Sequence, residues 1–226
     1  YNSSNLSLTF KTNLATPKLD ENSGIEFTPL GLWTFNDSGN LSEIYRIDSL
    51  TNTILQTVTI TNATNNDWED ITSNNDFIFI GDFGNNNGTR QNLRIFRIAK
   101  SQLQPLVTAV TADVINFNYA DQTTFVSLPN NNNYDCESMI FYNDSLHLFS
   151  KNWADKQCKH YVLPAVPGTY TTPVRETFNA GYLITGASVQ AGGVISLIGY
   201  DNTGVAPVSM WMLYDYTAPN FFNGNR

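Results

Sequence analysis

The chain has 226 residues, enough for one large all-β domain, and 41% of them are hydrophobic, enough for a core. Charged residues are only 14% and the net charge is −8, against roughly 25% charged residues in an average soluble domain. The acidity argues against a nucleic-acid binder, which needs a basic footprint for phosphates. No apolar run reaches the ~18 residues that span a bilayer.

Near the start, Leu6-Ser7-Leu8-Thr9-Phe10 alternates as a half-buried strand does. A first unit covers about residues 21–61. In it Gly31 to Phe35 reads as a strand, Asn36-Asp37-Ser38-Gly39 as a turn, Ser42 to Ile47 as a return strand and Ile54 to Ile60 as an outer strand. A second unit covers about residues 66–120. Its strands are Phe77 to Ile80, Leu93 to Ile98 and Val114 to Tyr119, and the insertion Ala99 to Val110 carries a short helical turn around Lys100 to Leu103.

A third unit, about residues 134–178, has strands at Ser138 to Tyr142, Leu146 to Phe149, Lys159 to Leu163 and Val174 to Phe178. The fourth, about residues 182–216, has strands at Tyr182 to Thr185, Val194 to Ile198 and Ser209 to Tyr214, with no outer strand. Four similar tetrapeptides mark the units: Ile44-Tyr45-Arg46-Ile47, Ile95-Phe96-Arg97-Ile98, His160-Tyr161-Val162-Leu163 and Trp211-Met212-Leu213-Tyr214.

A strand-built repeat of roughly 50 residues predicts an all-β fold, a β-propeller of four-stranded antiparallel blades. The chain is read as one domain, residues 1–226, with about four blades. Two closures are open. Either residues 6–10 supply the missing strand and close the ring, or the four blades are part of a ring of five or six.

In a propeller a motif repeated at the start of each blade converges on the axis. Here those motifs are Glu21-Asn22-Ser23-Gly24, Asp67-Trp68-Glu69-Asp70, Asp135-Cys136-Glu137-Ser138 and Thr185-Gly186-Ala187-Ser188. Asp67, Glu69, Asp135 and Glu137 are the candidate channel carboxylates. Converging carboxylates repel unless a cation neutralises them, and an oxygen-rich set suits Ca²⁺. The candidate ligands are Glu21, Asp37, Asp67, Glu69, Asp82 and Glu137. The competing reading has these acids capping turns through backbone N–H groups.

Trp68 and Trp153 fall at loop positions and are candidates for a ligand-binding platform, whereas Trp33 and Trp211 sit in strands and pack blades. Cys136 and Cys158 form either a disulfide in an oxidising compartment or two buried thiols. There is no Gly-x-Ser-x-Gly elbow. His147 and His160 read as structural, so an enzyme would rest on paired carboxylates alone.

The segments Glu21 to Ile25, Leu32 to Asn40, Asn66 to Ile71, Ile80 to Asn86, Asn92 to Ile98, Asp135 to Ser138 and Leu183 to Ala187 resemble a family of secreted β-propeller proteins common in Bacteroidetes. Many of its members look like cargo of the type IX secretion system. The resemblance covers about residues 20–225. It implies a secreted or outer-surface location and carries no established activity. Similar chains often place an acid where Ser188 stands, and they continue past Arg226 into another repeat.

Together these readings favour a non-catalytic binding or scaffold module for a protein, glycan or small-molecule ligand, with Ca²⁺ in the central channel. The alternatives are a Ca²⁺-dependent hydrolase of lactonase, phytase or esterase type, by fold analogy, and a subunit of an outer-membrane surface complex.

Overall fold

A computed structural model describes residues 13–14, 17–203 and 208–226. The strand expected at Leu6 to Phe10 lies outside the described residues. Four sheets stand around one axis as the blades of a β-propeller. No helix among the described residues is long and apolar enough to cross a membrane.

Blade 1 contains β1 (Asn22–Thr28), β2 (Gly31–Asn36), β3 (Glu43–Ile47) and β4 (Ile54–Ile60). Blade 2 contains β5 (Trp68–Ser73), β6 (Phe77–Asp82), β7 (Leu93–Ala99) and, after the short β8 (Ala109–Val110), β9 (Asp113–Tyr119). Blade 3 contains β10 (Asp135–Tyr142), β11 (Ser145–Lys151), β12 (Gln157–Pro164) and, after β13 (Gly168–Thr172), β14 (Glu176–Asn179). Blade 4 contains β15 (Leu183–Val189), β16 (Ile195–Tyr200) and β17 (Ser209–Leu213). The helical turn expected in the insertion is present as a 3₁₀ turn at Lys100–Gln102.

The blades are interlocked by segments that reach back. After β7 the chain lends β8 to blade 1, where it pairs parallel with β4. After β12 it lends β13 to blade 2, parallel to β9. After β17 it sends the 3₁₀ turn Phe221–Asn223 back to blade 3, where both Glu176 oxygens accept backbone N–H groups from Phe221 and Phe222. The Phe221 ring lies 4.7 Å from the His147 ring and 4.8 Å from the His160 ring. Both histidines are buried in blade 3, in structural positions.

Three apolar cores join the blades in order. Trp33, Phe35 and Ile44 of blade 1 meet Trp68, Ile71 and Phe96 of blade 2. Phe79, Ile95 and Phe117 of blade 2 meet Cys136, Met139 and Tyr161 of blade 3. Ile140, Phe149 and Phe178 of blade 3 meet Ile184, Leu197 and Leu213 of blade 4. Each fully buried large side chain contributes ~1.5–3 kcal/mol through the area it removes from water. Among the described residues no buried cluster joins blade 4 to blade 1. Ile25 and Phe27 on β1, with Ile198, Met210 and Met212 on β16 and β17, are exposed.

The packing corrects one register. The third strand of each later blade sends an aromatic and an aliphatic residue to the blade before it: Phe96 and Ile98, Tyr161 and Leu163, Trp211 and Leu213. Tyr45 and Ile47 are the equivalents in blade 1, where they pack on Leu19. The fourth tetrapeptide is therefore Met210-Trp211-Met212-Leu213, one residue earlier than the sequence echo suggests. Its Tyr214 aligned by character with Ile47, but the period-two alternation of β17 turns Leu213 inward.

Candidate metal centre

Every inner strand carries a β-bulge near its start. The pairing slips between Trp68 and Asp70 in β5, between Cys136 and Ser138 in β10, and between Ile184 and Gly186 in β15. The extra residue is thus Glu69, Glu137 and Thr185 in turn. In β1 the irregularity lies between Asn22 and Ile25. A bulge re-aims the side chain it carries, and here the two glutamates turn toward one another. The fourth blade places Thr185 at this point. Ser188, where an acid was expected, lies three residues further along β15.

Two carboxylate triads result, Asp37–Asp67–Glu69 and Glu69–Asp135–Glu137. Within each triad one oxygen per residue lies within 4.8 Å of the others. All four candidate channel carboxylates and Asp37 are therefore brought together, with Glu69 shared.

The two triads differ in what surrounds them. Asp135 is fully buried and accepts three hydrogen bonds. Its Oδ1 accepts the backbone N–H of Asn85 (2.7 Å) and of Cys136 (3.0 Å), and its Oδ2 accepts Trp153 Nε1–H at 2.7 Å. Glu137 accepts a hydrogen bond from the Lys151 ammonium in a close ion pair. The Lys151 Nζ also lies over the Trp153 ring, 4.4 Å from its centroid, and 5.3 Å from the centroid of Tyr200.

In the first triad Asp37 Oδ1 accepts the Ser38 N–H at 2.5 Å. Glu69 is only 7% exposed, and among the described residues its carboxylate has neither a hydrogen bond nor an ion pair. Burial, followed by the charges of Glu137, Asp37, Asp135 and Asp67, pushes Glu69 well above the usual carboxylate range. Burial and the Asp37 charge push Asp67 up to about 6, against the pull of Arg90. Burial also raises Glu137, with Lys151 opposing and Asp135 adding to the rise.

The loop after β6 forms one wall. A Cβ placed on Gly84 would collide with Glu69 Oε1 and Asp67 Oδ2, so the backbone there approaches the acids as only glycine allows. Arg90 braces this loop, donating from Nη1 to Gly84 O (2.8 Å) and from Nη2 to Asp82 Oδ1 (2.9 Å).

Several sequence candidates fall elsewhere. Asp82 belongs to neither triad, since Arg90 and Arg94 engage its two oxygens. Glu21 lies at the surface, accepts Asn40 Nδ2–H at 2.6 Å, and belongs to neither triad. Trp68 is no platform. It is wholly buried between blades 1 and 2, edge-on to Phe35 at 5.6 Å. Trp153 does reach the centre, but its indole serves Asp135 and Lys151.

Cys136 and Cys158 are free buried thiols. Strand β11 lies between their strands, which sets them about 10 Å apart at two strand spacings, beyond the ~7 Å that a disulfide bridges. Asp70, also in the motif, ties blade 2 to blade 3 by accepting the Ile71 and Met139 N–H groups at 2.8 and 2.6 Å.

Sequence reasoning missed Lys151 and Gly84. Lys151 had one readable signal: it ends the strand paired with the one that Asp135 begins, directly across from it.

No protein-family model matches the chain, and no curated protein matches it. Among solved structures it is similar to the PQQ-bound aldose sugar dehydrogenase of Streptomyces coelicolor, with 10% identity and a TM-score of 0.42 over 84% of this chain. The chain spans 61% of that protein's length. It is also similar to the β-propeller domain of Cps50 (Swd1) from Myceliophteria thermophila, with 9% identity and a TM-score of 0.38, over 86% of this chain and 71% of that one. At such identities the likeness concerns the fold alone.

Proposed function

We propose that this propeller binds a hard divalent cation, Ca²⁺ in the first place, at the Asp37–Asp67–Glu69 triad. On this reading it acts as a non-catalytic binding module of the secreted or cell-surface kind, for a protein, glycan or small molecule. The observation that carries the cation is Glu69, a carboxylate more than nine-tenths buried, without a hydrogen-bond or ion-pair partner among the described residues, and facing two other acids of its triad. An unpaired buried charge costs several kcal/mol, and a cation offsets that cost.

The donor set favours Ca²⁺ over Mg²⁺. Ca²⁺ accepts six to eight oxygens in flexible geometry, while Mg²⁺ demands a near-ideal octahedron and keeps its waters. Both triads are built of carboxylates alone, the hard oxygen donors that Ca²⁺ takes. The low charged fraction, 14%, supports the extracellular setting.

Calorimetric titration with Ca²⁺ tests the reading. One ion is expected per chain, and Glu69→Gln or Asp67→Asn lowers the affinity at least tenfold. Absence of binding, or affinity indifferent to both substitutions, refutes it.

A further inference from the structure

The two triads share Glu69 but are not equivalent. Five carboxylates meet in them, and one of the five already has a full positive charge beside it. Presupposing the cation site proposed above, we propose that Lys151 is a resident counter-ion that fills the second triad and limits the centre to one bound cation.

Three observations support this role. Lys151 is a lysine only 5% exposed, and a buried ammonium persists only where acids repay its desolvation. Its Nζ bonds Glu137 and is flanked by the rings of Trp153 and Tyr200, so the charge is fixed in place by cation–π contacts as well as by the carboxylate. The second triad's other acid outside Glu69, Asp135, accepts three protein hydrogen bonds and keeps one lone-pair site on Oδ2 for an ion. A compact tethered charge thus stands where a second ion would otherwise be drawn. Among the described residues the first triad has no such ammonium, which leaves it open to a dissociable ion. The Asp-x-Glu pattern does not itself reveal the distinction, because both blades carry it.

Removing the charge while keeping the stem changes the stoichiometry. With Ca²⁺ in calorimetry and elemental analysis of bound metal, the native chain takes one ion and Lys151→Met takes two. The second ion binds within about tenfold of the affinity of the first. Lys151→Met that still takes one ion at unchanged affinity, or a native chain that takes two, overturns the proposal while leaving the first triad's cation intact. A native chain that takes none overturns both.

A second variant covers poor folding of Lys151→Met. Because Lys151 neutralises Glu137 apart from the bound ion, Glu137→Gln changes Ca²⁺ affinity less than threefold, whereas Glu69→Gln lowers it at least tenfold. Equal losses in the two variants make Glu137 a ligand and remove Lys151 from the role.

Discussion

Glu69 and Glu137 are the extra residues of equivalent β-bulges on neighbouring inner strands, and an oxygen of each lies within 4.8 Å of the other. Without its bulge, each inner strand would send this residue to the face opposite, since side chains alternate along a strand. The bulge is therefore what turns a repeated sequence motif into a convergent site. The same device in blade 4 delivers Thr185, so the acids fill one side of the axis only.

The first prediction concerns pH. The carboxyl of Asp67 is raised to about 6 in the folded chain, against ~3.9 in the unfolded one. A raised carboxylate pKa means that the folded state holds its proton more tightly. The stabilisation is present in full below pH ~4 and is lost as pH rises through about 6. Glu69 and Glu137 shift in the same direction. In chelator the melting temperature falls by about 3 °C or more between pH 5 and 8, at ~2–4 °C per kcal/mol for a chain of this size. Saturating Ca²⁺ abolishes the fall. Differential scanning calorimetry at both pH values, with and without Ca²⁺, measures it, and a melting temperature that rises across this range contradicts the assignment.

Much of the architecture was legible, for a physical reason. Strands buried on one face alternate, so Ile54–Ile60 reads from sequence with the bounds that it has in the fold. The inner strands β1 and β5 read from sequence only as blade-entry motifs, without strand bounds. They are rich in polar residues because they line the axis, and their bulges break the alternation. Strands β8 and β13 escaped because their pairing is lent to another blade, and the lending chain carries no local sign of it. The convergence of Asp67, Glu69, Asp135 and Glu137 followed from the repeat. The roles of Asp82 and Trp68 did not, because a carboxylate between two arginines and an indole between two blades look from sequence like residues free to bind.

The second prediction concerns the wall of the site. Gly84→Ala introduces a methyl group where Glu69 Oε1 and Asp67 Oδ2 now lie. The carboxylates must move, at a stability cost of about 1–3 kcal/mol, typical of overpacking. Ca²⁺ affinity falls at least tenfold by calorimetry. Leu50→Ala, at a side chain 82% exposed and outside both triads, leaves Ca²⁺ affinity unchanged and serves as the control.

The third prediction concerns the cysteines. Both thiols are buried, and burial pushes both well up from the ordinary range, so they are poor nucleophiles in the folded chain. Ellman's reagent titrates fewer than about 0.2 thiols in the native protein and both after unfolding in guanidinium without reductant. A chain that yields no thiol until reduced has a disulfide, and then β11 cannot lie between the two strands.

The fourth prediction uses the interlock. Phe221 is wholly buried against His147, His160 and Phe149, and its N–H is fixed by Glu176. Phe221→Ala removes an aromatic anchor from a packed site and costs about 3–5 kcal/mol. Phe27 is the same residue type on β1 but is 73% exposed, so Phe27→Ala changes stability by less than about 0.5 kcal/mol, as surface substitutions do. Urea denaturation of the two variants gives the contrast directly. The interlock adds a further expectation. The tail closes onto blade 3 as β8 closes onto blade 1 and β13 onto blade 2. Loss of Phe221 should therefore loosen blades 3 and 4 selectively, with hydrogen exchange quickening in β14 and β17 before β2 and β6. Uniform quickening across all four blades would show that the tail stabilises the ring only as a whole.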